Sequence, residues 1–394
     1  MGSRQRRARE VFFATLDAGA MTNSVTCDSL VQRTVFDDAA RIALRLSLGD
    51  VLGPLHPGGC FPLVEDPRPS DRACILGMMV LRPADHAWMA EQIESDAPAA
   101  VREIGDWCYD VAGVGGSWPV SGGNALDAYR LALQYGTVDA VMAGTNTMTR
   151  EGVARGTRSA HLWQPYTPLS WPALRAHREW LEPAIAALRC EWQRQGLLSA
   201  RRYPAQVAVT RGLSRDDSGV DILDARIFTD RHPDGSPIEA WILTSEAGRE
   251  ILSARARAKH RGLEERILAC SPPDLPGEID VARVPMLLRK YLDARLVEHD
   301  GGAISLAAFV EAGAVAQLNL TLMRRRSVRQ VIETSPRLDA ASREELLASW
   351  NGRARLFPSG RGPLPKGWAL VQAVVEEGRD AEAVVATFDV RAAR

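Results

Sequence analysis

The segment Val138–Thr147, which reads VDAVMAGTNT, constrains the fold of this chain more than any other feature. Its apolar run stops at Gly144, and small polar residues follow. This pattern is typical of a buried parallel strand that leads into a loop whose backbone can approach a ligand closely. A second segment, Arg295–Ser305, has a similar design, because a strand pattern ends at Gly301-Gly302 and Ser305 can cap a following helix. Together the two glycine corners predict a nucleotide cofactor bound by backbone amides.

Composition limits the class of protein. The 394 residues suffice for one large domain or two of ordinary size, and 46% hydrophobic with 25% charged residues is typical of a soluble globular protein. The net charge of −1 gives no reason to expect nucleic acid or an anionic membrane as a partner. No segment has the roughly 20 apolar residues that span a bilayer, and Asp17 interrupts the short apolar stretch near the N-terminus. Since the six cysteines form no C-x-x-C pair, we expect free thiols and a cytoplasmic location.

From Trp107 onward, strand patterns alternate with helix patterns, which predicts a mostly parallel, twisted sheet with helices on both faces. A helix is predicted over Asn124–Tyr135, with Asn124 as its cap and Gly136 as its stop. Because only a short turn separates the last two strands, they predict an antiparallel hairpin at one edge. The predicted strands lie near Trp107–Val114, Val138–Ala143, Gln206–Thr210, Arg226–Phe228, Trp241–Thr244, Ile279–Val284, Arg295–Glu298, Ala316–Met323, Ala369–Val374 and Ala383–Val390.

The chain is predicted to divide into two parts. Residues 1–105 form a mainly helical N-terminal extension without a chemical motif, for which packing or oligomerisation is the default role. Residues 106–394 form the sheet domain, with a Trp-rich insertion at about 156–203. Within the insertion, four residues at near-helical spacing predict an amphipathic helix: Trp180, Ile185, Leu188 and Trp192. The tryptophans either pack the insertion on the domain or form a lid beside the substrate.

The order in which the helix and strand segments follow one another along the chain is informative. A helix leads into VDAVMAGTNT, and PAQVAVT, AWILTSEAG, LVEHDGG, a short helix and AGAVAQLNLTL follow. This order resembles the reductase domain of riboflavin biosynthesis, the C-terminal half of the bifunctional pyrimidine deaminase–reductase. The resemblance covers about Trp107–Val390 and implies a dihydrofolate reductase-like fold and a homodimer. The deaminase half has no counterpart, because no H-x-E with a following P-C-x-x-C occurs.

The resemblance implies that NADPH lies across the carboxyl edge of the sheet. The glycine–threonine loop and the Gly-Gly turn would then contact its phosphates, which points to Gly144, Thr145, Asn146, Thr147, Gly301, Gly302 and Ala303. The adenosine end would lie near Thr210, Arg211 and Thr244. Arg211 either pairs with a 2′-phosphate, which favours NADP over NAD, or is a solvated surface residue.

The chain also departs from the family pattern. The riboflavin enzymes carry A-x-S-x-D-G at the end of their first strand, whereas the stretch matched to it, Ala112–Trp118, reads AGVGGSW. The missing acid argues against the riboflavin pyrimidine as substrate. Trp118 and Trp163 are candidate substrate contacts, and Trp118 is either a stacking surface or a core residue. The candidate proton donors are Asp110, Ser117 and Glu151, each of which also has a purely structural explanation.

We therefore expect an NADPH-dependent reductase of a small, cyclic, nitrogen-containing metabolite in a specialised biosynthetic pathway. The alternative is a non-catalytic protein that keeps the fold and serves in nucleotide binding or assembly. A metal enzyme is not expected, because the seven histidines show no H-x-x-H or H-E-x-x-H spacing.

Overall fold

The computed structural model describes residues 13–15, 63–81, 125–145, 148, 178–211, 221–323, 333, 340–341, 343–344, 369–375 and 383–391. These residues contain ten strands: β1 Phe13–Thr15, β2 Cys74–Leu81, β3 Ala140–Gly144, β4 Ala205–Val209, β5 Ala240–Thr244, β6 Ile267–Ala269, β7 Leu296–His299, β8 Val315–Met323, β9 Ala369–Val375 and β10 Ala383–Asp389. Their longer helices are α1 Ala125–Gly136, α2 Arg178–Arg194, α3 Glu246–Lys259, α4 Val284–Leu292 and α5 Gly302–Glu311.

The ten strands form one sheet in the order β1-β9-β10-β8-β2-β7-β3-β4-β5-β6. Seven neighbouring strands, from β8 to β6, are parallel. Their near-continuous apolar sequences, such as AVMAG in β3 and AQVAV in β4, suit strands that are buried on both faces. The predicted hairpin of β9 and β10 is confirmed, and it pairs antiparallel with β8. The mostly parallel sheet predicted from the sequence is therefore confirmed, with β1 as a further antiparallel strand outside the hairpin.

Helices cover both faces of the sheet. On one face, α5 packs so closely on β2 that a Cβ at Gly77 would lie 2.6 Å from the side chains of both Leu306 and Leu318. This contact requires glycine, since a methyl group does not fit at that distance. On the other face, Gln134 of α1 accepts a hydrogen bond from the side-chain amide of Asn319 at 3.1 Å. The central strands are thereby enclosed, as a parallel sheet requires.

Helix α1 buries polar as well as apolar side chains. Tyr129 and Leu133 are fully enclosed, but so are the polar Asp127, Arg130 and Gln134. Polar residues of the sheet lie beneath the polar side of the helix and form hydrogen bonds with one another. The Gln317 amide and the Thr387 hydroxyl both donate to Asn319 Oδ1, at 2.9 and 3.0 Å. The face under α1 is thus a buried polar layer rather than a purely apolar one, and hydrogen bonds within it offset desolvation.

Two predicted strands are wrong. Arg226–Phe228 forms a turn of 3₁₀ helix, in which local hydrogen bonds such as Phe228 N–H to the Ala225 carbonyl replace a strand ladder. The segment Ile279–Val284 contains a 3₁₀ turn at Val281–Arg283 and leads directly into α4. A helix forms there instead of a strand because Pro285 suits a first helical turn. The apolar residues also recur at helical spacing, and Val284, Leu288 and Leu292 are buried.

Helix α5 begins three residues earlier than Ser305, at Gly302, so Ser305 lies within the helix instead of capping it. The Ser305 hydroxyl has a partner other than the helix N-terminus, since its oxygen lies 3.0 Å from His299 Nε2. The predicted helix over Asn124–Tyr135 is confirmed as α1, and the helix predicted within the Trp-rich insertion is confirmed as α2, with Ile185, Leu188 and Trp192 buried.

Strand β2 lies within the predicted N-terminal extension, of which the structure describes residues 13–15 and 63–81. Residues 74–81 form a strand in the interior of the sheet, parallel to both β7 and β8. The sheet therefore begins before the boundary predicted at residue 105, although the division into domains stays a prediction. The strand predicted at Trp107–Val114 lies outside the described residues. Strand β6 and helix α3 were not predicted, and they extend the parallel part of the sheet beyond β5.

Candidate functional site

The two glycine corners lie side by side at the carboxyl edge of the sheet. Strand β7 pairs with β3, and Met142 is in register with His299. Beyond these strands, the Asp300 N–H donates to the Met142 carbonyl at 2.8 Å. The turn at Asp300-Gly301 is thus attached to the strand that ends at Gly144. In parallel sheets, ligands bind in the crevice outside the carboxyl ends of the strands, which is where both corners lie.

Further hydrogen bonds extend this edge across β4 and β5. The Thr145 hydroxyl donates to the Val209 carbonyl at 3.2 Å, and the Thr210 N–H donates to the Leu243 carbonyl at 2.9 Å. The Ser245 hydroxyl donates to the Arg211 carbonyl at 3.2 Å. We call this row of loop starts, Thr145, Thr210–Arg211, Ser245 and Asp300–Gly302, the carboxyl ledge.

Gly144 leaves open space at the ledge. A Cβ built at Gly144 would meet no atom of the described residues within 4 Å, so packing against that part of the chain does not require a glycine there. Its backbone is half-buried, at the end of an otherwise buried strand. A glycine without a packing constraint beside an open edge suits close approach of a ligand to the backbone.

The N-terminus of α5 carries unsatisfied donors on the ledge. Its N-cap is Gly301, and no side chain of the described residues caps it. The first N–H groups of a helix have no partner within the helix, so Gly302 and Ala303 present donors and the positive end of the helix dipole. Helix α3 differs, because Ser245 accepts from the Gly248 N–H at 3.0 Å and Ser271 accepts from the Glu246 N–H at 2.9 Å. Of these two termini, α5 is the one with donors left for an anion.

His299 supports this turn from below. The Gly301 N–H donates to His299 Nδ1 at 3.3 Å, which places the ring proton on Nε2, where it donates to the Ser305 oxygen. The ring also packs on Phe309, with centroids 4.6 Å apart. Burial lowers the pKa of His299 to about 4, so the ring is neutral near pH 7. His299 therefore positions the turn by hydrogen bonds and brings no positive charge to it.

Two acids flank His299, and both are directed away from α5. The Tyr135 hydroxyl of α1 donates to the Asp300 carboxylate. Glu298 is fully buried, and burial, together with the nearby charge of Asp300, raises its pKa well above the ordinary value. Burial also lowers the pKa of Arg130 to about 9, although the charges of Asp127 and Glu298 partly offset that effect. Sequence reasoning did not single out Glu298, and its only signal was an acid within the otherwise apolar strand LVEH.

At the predicted adenosine end, Arg211 is exposed and Thr210 is buried at the end of β4. Thr244 is fully enclosed, and its carbonyl accepts from the Cys270 N–H at 3.1 Å. Thr244 therefore supports the ledge from inside the sheet and does not line it. Seven predicted site residues lie outside the described residues and stay predictions: Asp110, Ser117, Trp118, Asn146, Thr147, Glu151 and Trp163.

The described part of the chain contains no cluster of His, Cys, Asp and Glu that could hold a metal ion. In that part, no helix has the length and apolar character needed to cross a bilayer.

No family model and no curated protein matches the chain. A solved pyrimidine reductase-like protein from Corynebacterium diphtheriae is 13% identical, with a TM-score of 0.40 over 80% of this chain and 91% of that protein. The riboflavin biosynthesis reductase of Saccharomyces cerevisiae is 10% identical, with a TM-score of 0.37 over 81% of this chain and 90% of that protein.

A third solved structure is a diaminohydroxyphosphoribosylaminopyrimidine deaminase/5-amino-6-(5-phosphoribosylamino)uracil reductase from Thermotoga maritima. It is 11% identical, with a TM-score of 0.36 over 81% of this chain, and the match covers 56% of that protein. These are proteins of the class that the sequence resembles. Because the identities are so low, the cofactor and the substrate have to be argued from the residues of this chain.

Proposed function

We propose that the chain is an NADPH-dependent reductase that transfers hydride to a small, cyclic, nitrogen-containing metabolite. The observation that carries this proposal is the juxtaposition of the two glycine corners, joined by the hydrogen bond from Asp300 to Met142. Phosphate binding needs backbone donors without obstructing side chains, and the ledge offers both at one place.

The residues present fit the phosphates of a dinucleotide. Open space lies beside Gly144, and α5 lacks a side-chain cap among the described residues. The phosphates would be held by the N–H groups of Gly302 and Ala303, and Gly144 would admit the chain of the cofactor across the strand end. Thr145, Asn146 and Thr147 follow in the same loop and are proposed as further contacts.

When bound, the nicotinamide would supply the hydride, and the protein would bind, orient and exclude water. Ordered hydrogen bonds at His299 and Tyr135 would keep the turn preorganised for this task. Asp110, Ser117 and Glu151 are the proposed proton donors, while Trp118 and Trp163 are the proposed substrate contacts. We further propose a homodimer and a cytoplasmic location, in line with the sequence resemblance and the composition.

A non-catalytic nucleotide-binding or assembly protein is the second candidate. It is favoured by the absence of the family acid from the stretch Ala112–Trp118. In its nucleotide-binding form this candidate would differ from the reductase only in turnover, whereas in its assembly form the ledge would bind a different nucleotide or none.

The test of the proposed function is isotope transfer. The protein is incubated with NADPH that carries deuterium on either face of C4, together with a panel of cyclic imines, pyrimidines and pteridines, and the products are analysed by mass spectrometry. A reductase moves the label into one class of acceptor. Tight NADPH binding with no labelled product across the panel would favour the binding protein instead.

A matched pair of variants tests whether label transfer depends on the carboxyl ledge. Gly144→Leu fills the open space and should abolish label transfer. Gly277→Leu introduces the same side chain at an exposed glycine that also has no neighbour within 4 Å of its added Cβ, and it should leave transfer unchanged. Equal activity in both variants would contradict the assignment of the site.

A further inference from the structure

A cavity of about 630 Å³ lies at the opposite end of the sheet from the carboxyl ledge. It is bordered by the end of α1, one side of α2 and the segment that leads into β4. Because Gly136 precedes β3 and Pro204 precedes β4, the cavity is at the amino ends of these strands. Five-residue strands separate it from the ledge by roughly 16 Å. The volume is within the usual range for small-molecule sites.

The walls of this cavity, which we call the amino-end cavity, are mainly apolar. They include Pro183, Ile185 and Ala186 of α2, together with Tyr203 and Pro204 before β4. Ion pairs occupy the rim, because Arg178 bonds Glu182 at 2.9 Å and Arg202 bonds Asp234 at 2.9 Å. These pairs leave two charged groups at the cavity, the exposed acid Glu179 on the rim and one cation that lies deeper.

Arg189 is that deeper charge. It is 5% exposed and borders the cavity, yet no carboxylate of the described residues forms an ion pair with it. Among the described residues, its guanidinium donates to carbonyl oxygens alone, those of Gly136, Val138 and Arg201, at 2.6–3.0 Å. The nearest opposing charge, Asp139, is occupied by four other donors, from Ser199, Arg295 and Leu296.

These four bonds leave one of the five guanidinium N–H groups, on Nη2, without an acceptor among the described residues. Burial lowers the pKa of Arg189 to about 10, so the group still carries its charge at neutral pH. The charge of Asp139 offsets the effect of burial only in part, and a buried cation stays costly unless an anion compensates it.

Helix α2 contributes a backbone acceptor at another part of the cavity border. Pro183 lies within the helix and has no N–H, so the helical hydrogen bond that the Glu179 carbonyl would accept from it is missing. Glu179 and Pro183 both border the cavity. The amino-end cavity therefore combines apolar walls, one buried cationic donor and one backbone acceptor.

We propose that the amino-end cavity is a second ligand site, which takes a small organic anion with an apolar body. The anionic head meets the Nη2 N–H of Arg189, and the apolar body lies against Pro183, Ile185 and Pro204. This site is independent of the cofactor proposed at the carboxyl ledge, because the two lie at opposite ends of the same strands.

The test compares two fluorescent probes on the full chain, 8-anilinonaphthalene-1-sulfonate and its uncharged analogue N-phenyl-1-naphthylamine. The sulfonate should bind with a stoichiometry of one and about tenfold more tightly than the neutral analogue, because only the sulfonate compensates Arg189. Saturating NADPH should not displace it. Equal affinity of the two probes, or displacement by NADPH, would overturn the proposal.

Variants locate the bound probe. Ala186→Trp fills the cavity from an exposed position on α2 and should weaken sulfonate binding at least about tenfold. Ala200→Trp makes the same change at an exposed alanine that does not border the cavity and should change binding less than about twofold. Arg189→Met should remove the preference for the sulfonate over the neutral probe. Full retention of binding in Ala186→Trp would place the probe elsewhere and contradict the site.

Discussion

The backbone N–H of Asp300 donates to the carbonyl oxygen of Met142 at 2.8 Å, which joins two glycine corners that lie far apart in the sequence. Each corner alone is a common loop feature. Their contact at the carboxyl edge of a parallel sheet creates a place where backbone donors and open space coincide.

The first prediction concerns Gly301, the N-cap of α5. A Cβ at this position would lie 2.5 Å from His299 Cε1 and 3.0 Å from the Ser305 side chain. Because Phe309 confines the imidazole, Gly301→Ala should lower the free energy of unfolding by about 1–3 kcal/mol. Urea denaturation measures the change, and Gly277→Ala, with open space at its Cβ, is the control. Equal stability of Gly301→Ala and the wild type would show that the turn is looser than described.

The second prediction concerns acid stability. The pKa of His299 is about 4 in the folded protein, below its value of 6.5 when unfolded, because burial disfavours the charged ring. The unfolded chain therefore binds the proton first, and the folded protein loses stability as the pH falls from about 6.5 to 4, by on the order of 3 kcal/mol. In His299→Gln this loss should be absent, so its stability should approach that of the wild type as the pH falls. Unfolding curves with the same pH dependence in both proteins would refute the buried neutral ring.

The third prediction concerns Glu298, whose contribution to folding stability falls as the pH rises, whereas that of His299 falls as the pH drops. Burial and the charge of Asp300 raise the pKa of Glu298 in the folded state. Its contribution to stability is therefore full below the unfolded pKa of about 4.5 and declines as the pH rises towards the folded pKa. Glu298→Gln, which has no proton to lose, should gain stability relative to the wild type as the pH rises above about 4.5. Thermal unfolding at several pH values measures this difference, and a variant that becomes relatively less stable as the pH rises would contradict it.

The fourth prediction concerns cofactor choice. Arg211 is exposed at the end of β4, where the 2′-phosphate of NADPH is proposed to lie. Arg211→Gln should weaken NADPH binding about tenfold and leave NADH binding unchanged, because only NADPH carries that phosphate. Arg261→Gln, at an exposed arginine after α3, is the control for loss of one positive charge. A parallel loss of both cofactors in Arg211→Gln would mean that the arginine acts on the fold or on the pyrophosphate.

The strands of the ledge were predictable because each has a bounded apolar run that ends in small or polar residues. Val138–Gly144 and Arg295–Gly302 fall into this class, and their neighbourhood follows from the order of elements in a parallel sheet. Strand β2 was not recognised, since an apolar run such as CILGMMVL has no period that separates a buried strand from a buried helix. Helix α4 was missed because its short length and apolar start gave a strand-like pattern.

The side-chain contacts within the site were less predictable from the sequence than the positions of its strand ends. A sequence shows that Ser305 can cap a helix, but it does not show that His299 lies against the same hydroxyl. Nor does it show that Thr244 is enclosed while Gly144 is open, since both end apolar strands with similar sequences. Which strand ends face a ligand depends on tertiary contacts between elements that are distant in the chain.

The most direct test of the ledge is a titration of the purified protein with NADPH, followed by tryptophan quenching, in the wild type, Gly302→Asp and Gly302→Ala. An aspartate in the first turn of α5 suits the helix dipole, so the fold should persist, but its charge should repel a pyrophosphate. NADPH should bind saturably to the wild type and to Gly302→Ala, and its affinity should fall at least about 100-fold in Gly302→Asp, or roughly 2.7 kcal/mol. Equal NADPH affinity in all three proteins, or no binding to the wild type, would contradict the claim that the two glycine corners hold a dinucleotide.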